Sequence, residues 1–276
     1  MKKILVPIDF SNDSINAFEH AIVHAENINA KIRLINICKN RKISLPSNFL
    51  GLDENQTLDV EEYFEALLKY YESKTSCSIE YLVREGKVYK EITDQAGIDN
   101  TYLIVMGTHG ISGFEELFMG SNAFRVVTNS PCPVITIRNG YLRKGISKII
   151  VPIDITKETR LKVPFVAELA SFYNAEVHVA AISETERKRI IEKTEQYSMQ
   201  VCDYLAKRDL NFVQTTLFGS NITDMTIEYA ISVKSELIAI MTEQPKNAKN
   251  LFMGPYAQQM VNHSPIPVLS LNANNF

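Results

Sequence analysis

Met106-Gly107-Thr108-His109-Gly110 is followed, after nine intervening residues, by Gly120-Ser121-Asn122-Ala123. The spacing G-x2-G-x9-G-[ST] puts glycines where a backbone must approach a ligand closely or take φ > 0. A helical stretch starts behind the last glycine. Gly120, Ser121 and Asn122 therefore offer unpaired N–H groups and the positive end of a helix, which suits an anion. A second segment, Pro7-Ile8-Asp9, ends an apolar run on a carboxylate. Each side chain also has a plainer use. Asp9 can order the turn into the next helix, Ser121 can serve as an N-cap, His109 can be a solvated loop histidine, and Ile37 and Met106 can fill core.

Other chemistries find less support. No G-x-x-x-x-G-K-[ST] is present, which argues against a P-loop ATPase. Gly110-Ile111-Ser112-Gly113 resembles part of a nucleophile elbow, but Phe114 stands where glycine is required. His20 and His24 have the i, i+4 spacing of a helical metal pair, yet neither Glu19 nor Asp13 makes a convincing third ligand, so a solvated helix-surface pair is expected. Cys77, in a strand context, and Cys132, between two prolines, read as small buried hydrophobes. The charged stretch from Glu184 to Lys193 reads as a solvated helix face.

With 29 basic and 32 acidic residues, the net charge of −3 gives no counterion-release drive toward nucleic acid and no polybasic surface for anionic lipid. Neither nucleic acid nor membrane is expected as a partner. The amino-terminal Lys2-Lys3-Ile4-Leu5-Val6-Pro7 reaches proline and Asp9 too early for a signal segment and reads as a strand. Four cysteines without a C-x-x-C pair suit a reduced, cytoplasmic protein.

The elements that must position these residues come twice. Lys3-Ile4-Leu5-Val6-Pro7-Ile8-Asp9 returns as Lys148-Ile149-Ile150-Val151-Pro152-Ile153-Asp154, an offset of 145 (154 − 9). Leu117-Phe118-Met119-Gly120 returns as Leu251-Phe252-Met253-Gly254, an offset of 134 (254 − 120), and the closing Ser130-Pro131-Cys132-Pro133-Val134 as Ser264-Pro265-Ile266-Pro267-Val268. The second copy is shorter in its middle, opposite the polar, proline-containing stretch Arg41 to Gln56. In the first copy, strands are expected at Ile4 to Ile8, Ile32 to Ile37, Ile79 to Val83, Tyr102 to Met106 and Val134 to Ile137. Helices are expected near Ser14 to Asn27, Leu58 to Glu72, Val88 to Gln95 and Asn122 to Thr128. The alternation implies an α/β fold: two tandem doubly wound domains, residues 1–139 and 146–276, each a five-stranded, mostly parallel sheet with helices on both faces. Their last strands, Val134 to Ile137 and Val268 to Leu271, would be exposed apolar edges unless paired with each other.

The glycine pattern, the I-L-V-P-I-D strand and the closing P-C-P-V strand together resemble the universal stress protein family, in a tandem two-domain form, over nearly the whole chain. The resemblance implies an adenine nucleotide alpha hydrolase-like fold and a stress-response or regulatory protein that binds ATP, with Mg, or AMP or ADP. It places Asp9 against the ribose or a phosphate-bound cation, after Pro7, and Ile37 against the adenine edge. Met106 and Gly107 would line base and ribose, while His109, Gly110, Gly120, Ser121 and Asn122 would cradle phosphates.

The second copy has lost the pattern: Met241, Gln244 and Pro255 stand for Gly107, Gly110 and Ser121, with Gly254 and Asp154 kept. One site per chain is expected, in the first copy. Two other classes stay open: a dimerisation or interaction scaffold with incidental nucleotide, a homodimer included, or a slow ATP hydrolase. For the last, only Asp9 and His109 resemble a general base, so at most weak hydrolysis is expected. Bulk at Gly107 or Gly110 is expected to abolish binding and spare the fold, because the loop reads as lying outside the core.

Overall fold

The structure is a computed structural model that describes residues 1–38, 42–44, 57–109, 119–138, 140–141, 145–242, 253–272 and 275. The first half runs β1 (Lys2–Pro7), α1 (Asn12–Ile28), β2 (Ala30–Ile37), β3 (Lys42–Ser44), β4 (Thr57–Asp59), α2 (Val60–Tyr71), β5 (Ile79–Arg84), α3 (Val88–Ile98), β6 (Leu103–Gly107), α4 (Ser121–Asn129) and β7 (Val134–Ile137). The second runs β8 (Lys148–Ile153), a 3₁₀ turn at Glu158–Arg160, α5 (Val163–Tyr173), β9 (Glu176–Ser183), α6 (Lys188–Ala206), β10 (Phe212–Phe218), α7 (Ile222–Ser232), β11 (Leu237–Met241), α8 (Pro255–His263) and β12 (Val268–Leu271).

Apolar runs become strands covered on both faces. β6 (LIVMG) and β11 (LIAIM) are buried along their whole length, as parallel strands between two helical layers must be. Successive residues alternate between the layers. Ile4 and Val6 join the core beneath α1, α2, α5 and α6, while Leu5 joins the core beneath α3, α4, α7 and α8. Both cores run across the two halves.

The main sheet has the order β10-β9-β8-β11-β12-β7-β6-β1-β2-β5. Within each half every pairing is parallel; β12 and β7 pair antiparallel, with Leu269 opposite Ile135. Strand direction therefore reverses at this join, and the carboxyl ends of the two half-sheets point toward opposite edges of the molecule. In each half the order reverses between the first strand and the fourth, at β1/β6 and at β8/β11. These are the points where open α/β sheets bind ligands.

Several local expectations change. Lys42–Ser44, expected within a loop, pairs antiparallel with Thr57–Asp59; this strand takes Leu58, so α2 starts at Val60 behind the capping box of Asp59 and Glu62. The intervening residues 45–56 lie outside the described residues. The first helices of the two halves end alike, on left-handed asparagines, Asn29 and Asn174, but they begin differently. α1 starts under the cap of Ser11, whose Oγ accepts from the Ser14 N–H. α5 starts only at Val163, with Pro164 in its first turn, because proline ends backbone pairing upstream and suits a helix start. Residues Glu184 to Arg187 precede α6, and the rest of that charged stretch is its solvated first turns.

Candidate functional site

The carboxyl ends of β1 and β6 and the start of α4 enclose a cleft of about 330 Å³, within the usual size range of small-molecule sites. Pro7 and Asp9 come from the end of β1, and Ile37 from the end of β2. Met106, Gly107 and His109 come from the end of β6, and Gly120, Ser121 and Asn122 from the start of α4. Gly110 lies outside the described residues. Thr108, Ser14, Val88 and Ile92 also line the cleft; the motif reading did not name them. Thr108 was visible as the residue after Gly107. Val88 and Ile92 were not, because nothing in local spacing brings α3 to this wall.

Asp9 has the turn-ordering use. Its Oδ1 accepts from the Ser11 N–H at 3.1 Å and from Ser11 Oγ at 2.6 Å. Asp154 does the same for Thr156 in the half without the glycines, accepting from its N–H at 2.7 Å. The aspartate is thus kept for the turn whether or not the glycines are. Phe10, within this turn, is left-handed at φ 64°, a costly state for an aromatic residue. It is held by Tyr63 and Phe64 of α2, with ring centroids 5.2 and 5.1 Å away.

Gly107 and Gly120 do not have positive φ; what Gly107 provides is closeness. A Cβ there would lie 3.1 Å from Asp13 Cβ and 3.2 Å from the Asp13 carbonyl carbon, so β6 ends against the backbone of α1. The expectation that bulk here spares the fold is therefore corrected: Gly107 belongs to a buried strand packed on a helix. In the second half Met241 fills this place and is buried. The helix has given way there: the 3₁₀ turn replaces its first turns, and Lys162 lies fully inside, its Nζ donating to the carbonyls of Pro152 at 2.7 Å and Thr159 at 2.6 Å. Burial pushes the Lys162 amine down to about 7, partly countered by Asp154.

The N-cap of α4 is Gly120, and Ser121 is its first residue, so the cap use of Ser121 is not realised. The Gly120 N–H bonds the Thr108 carbonyl at 2.9 Å, and the Gly120 carbonyl takes the Phe124 N–H at 3.0 Å. The next N–H groups, of Ser121, Asn122 and Ala123, precede the first helical donor, Phe124, so they have no acceptor within the helix, and their residues line the cleft. The loop is also held from the other half. The Met119 N–H donates to Asn262 Oδ1 of α8 at 3.0 Å.

His109 is part of the wall. Its Nδ1 is 2.9 Å from Thr108 Oγ1 and 3.9 Å from Asp13 Oδ2. Burial pushes the Asp13 carboxyl up, His109 pulls it back, and Asp9 raises it again. A raised acid disfavours the folded state once ionised. Asp13→Asn is therefore expected to melt higher than the parent at neutral pH, with the gap closing as pH falls toward about 4, the ordinary aspartate value. Melting curves across that range check this; a gap independent of pH would refute it.

His20 and His24 are not a surface pair. Both are buried, His20 with its Nε2 3.3 Å from the Tyr141 carbonyl and His24 bonded to the Tyr173 hydroxyl of α5. No group of three or more His, Cys, Asp or Glu residues could hold a metal among the described residues. Cys77 sits half-buried in a bend before β5 rather than in a strand, and Cys132 is buried, which pushes its thiol up to about 11. No helix among the described residues is long and apolar enough to cross a membrane.

Fold and cleft together define a tandem α/β protein with a crevice at the switch point of its first half-sheet. The universal stress protein family profile matches residues 1–138 and again 145–271, and the chain belongs to that family. Universal stress protein MJ0531 of Methanocaldococcus jannaschii is 33% identical over 145 residues, covering 50% of this chain and 82% of the relative. Across both halves, a universal stress protein from Archaeoglobus fulgidus has the same fold, with a TM-score of 0.72 at 15% identity, covering 98% of each chain. A functionally unknown protein from Pseudomonas aeruginosa PAO1 aligns with a TM-score of 0.72 at 15% identity, over 100% of this chain and 94% of its own.

Proposed function

We propose that the chain is a cytoplasmic stress-response regulator that binds one adenine nucleotide in the unit 1–139, ATP with Mg or else AMP or ADP, and that the unit 146–276 is its structural partner. The observation that carries this reading is that the first turn of α4, Ser121, Asn122 and Ala123, lines a cleft between the ends of β1 and β6, where a helix start offers N–H groups to an anion. Choice of adenine comes from the family resemblance. The equivalent helix start in the second half has Pro255 in place of Ser121 and so lacks both a hydroxyl and an amide donor.

Calorimetric titration with ATP, after bound nucleotide is stripped, is expected to count one site per chain. Ser121→Pro copies the second half and suits a first helical position, so the fold is expected to stand. Loss of a charge-assisted hydrogen bond, about 1.5–3 kcal/mol, predicts roughly ten- to hundred-fold weaker binding. Two sites, or unchanged affinity in the variant, would sink the reading. The bond from Met119 N–H to Asn262 supports a scaffold role for the second half within this same reading.

A further inference from the structure

We propose that β10 is a self-pairing edge, through which two copies of this chain join antiparallel about Thr215 into one continuous sheet. β10 is an outermost strand of the main sheet. Its sequence, Phe-Val-Gln-Thr-Thr-Leu-Phe, holds no charge and no proline. Phe218 is 50% exposed, Val213 37% and Phe212 36%. The other outer strand, β5, carries Glu80 and Arg84, the kind of charge that ordinarily blunts an edge.

The backbone fixes which groups are on offer. The Asn211 carbonyl accepts from the Val177 N–H, and the Gly219 N–H donates to Ser183. Odd-numbered residues between them therefore turn their backbone toward β9, along an unbroken register. Phe212, Gln214, Thr216 and Phe218 turn theirs outward. A two-fold axis at Thr215 sets Gln214 opposite Thr216 and Phe212 opposite Phe218, so that outward residues meet outward residues and each pair exchanges both N–H···O bonds.

The side chains agree with that register. Phenylalanine faces phenylalanine at both ends, Val213 faces Leu217, and Gln214, whose Nε2 donates to Ser198 Oγ of α6 at 2.7 Å, lies opposite Thr216. No like charges oppose each other. An antiparallel join is also how this chain links its own halves, through β7 and β12. A second copy is therefore the occupant that the edge fits.

Light scattering on the size-separated full chain is expected to give twice the 31.3 kDa chain mass. Thr216→Pro removes an N–H that β9 does not use, and Thr216→Lys puts a charge on the joined edge; each is expected to halve the mass while the chain still melts in one cooperative transition, at a temperature lowered only by the lost association. If the proline variant unfolds, the lysine variant decides. Thr215→Cys is expected to form an interchain disulfide on mild oxidation, because only this position meets itself, while Val213→Cys is not. A monomeric parent at every concentration, a dimer that both Thr216 variants leave intact, open-ended assemblies, or cross-linking through position 213 and not 215 would each overturn the proposal.

Discussion

Gly107→Met is expected to lower stability by about 1–3 kcal/mol, the usual cost of forcing bulk into a packed core, and to abolish nucleotide binding. The same side chain stands at the equivalent position of the second half, as Met241, without harm. The difference is the helix opposite. α1 holds Asp13 so close to Gly107 that even a Cβ meets its backbone at 3.2 Å. In the second half the corresponding turns are rewound as Glu158–Arg160, and the helix begins only at Val163. Methionine and the rewound start belong together, so methionine alone must push α1 away or leave its strand. Urea midpoints measure the first effect and calorimetric titration with ATP the second. Gly107→Ala is expected to show a smaller share of the stability loss. A methionine variant with parental stability would mean that α1 yields freely, and the packing argument would fail.

The acid limb of stability is expected to depend on His24. This side chain is buried between the halves beside His20 and bonded to Tyr173, and burial, with His20 adding to it, pushes its imidazole down to about 3 from the ordinary 6.5. A depressed base favours the folded state above its ordinary value, and the advantage drains away as pH falls from about 6.5 toward 3. The slope is ~1.4 kcal/mol for each unit in that window. His24→Gln keeps a partner for the tyrosine and cannot titrate, so its stability is expected to change less between neutral pH and about pH 4. Urea midpoints at the two ends compare the slopes; parallel slopes would show that His24 does not set the acid limb.

Much of the architecture was legible because the duplicated strand I-L-V-P-I-D, its carboxylate and the closing proline-flanked strand are short-range signals. Strand type followed from unbroken apolar runs, and the switch point followed from element order. The start of α4 was equally plain from Gly120-Ser121. Less legible were features decided by contacts across the chain. Gly107 looks like a ligand-approach glycine in a line of sequence and turns out to be a helix-approach glycine as well. Phe10 gives no sign of a left-handed backbone until Tyr63 and Phe64 are beside it. His20 and His24 read as solvated because the helix they sit on has α5 and the linker on its far side, which no local period reveals. Leu58 was absorbed into α2 because a three-residue strand is too short to register.

The antiparallel join of β7 to β12 removes a dependence that a single half would carry. Alone, residues 1–138 would leave Val-Ile-Thr-Ile as a bare apolar edge, and covering it would require a second molecule, so assembly would follow dilution. Written as one polypeptide, the cover arrives with synthesis and stays at any abundance. The two copies are then released from having to be identical. One can keep its glycines and the other can trade them for a methionine and a glutamine, and the pair is made in a ratio that no regulation of expression can upset.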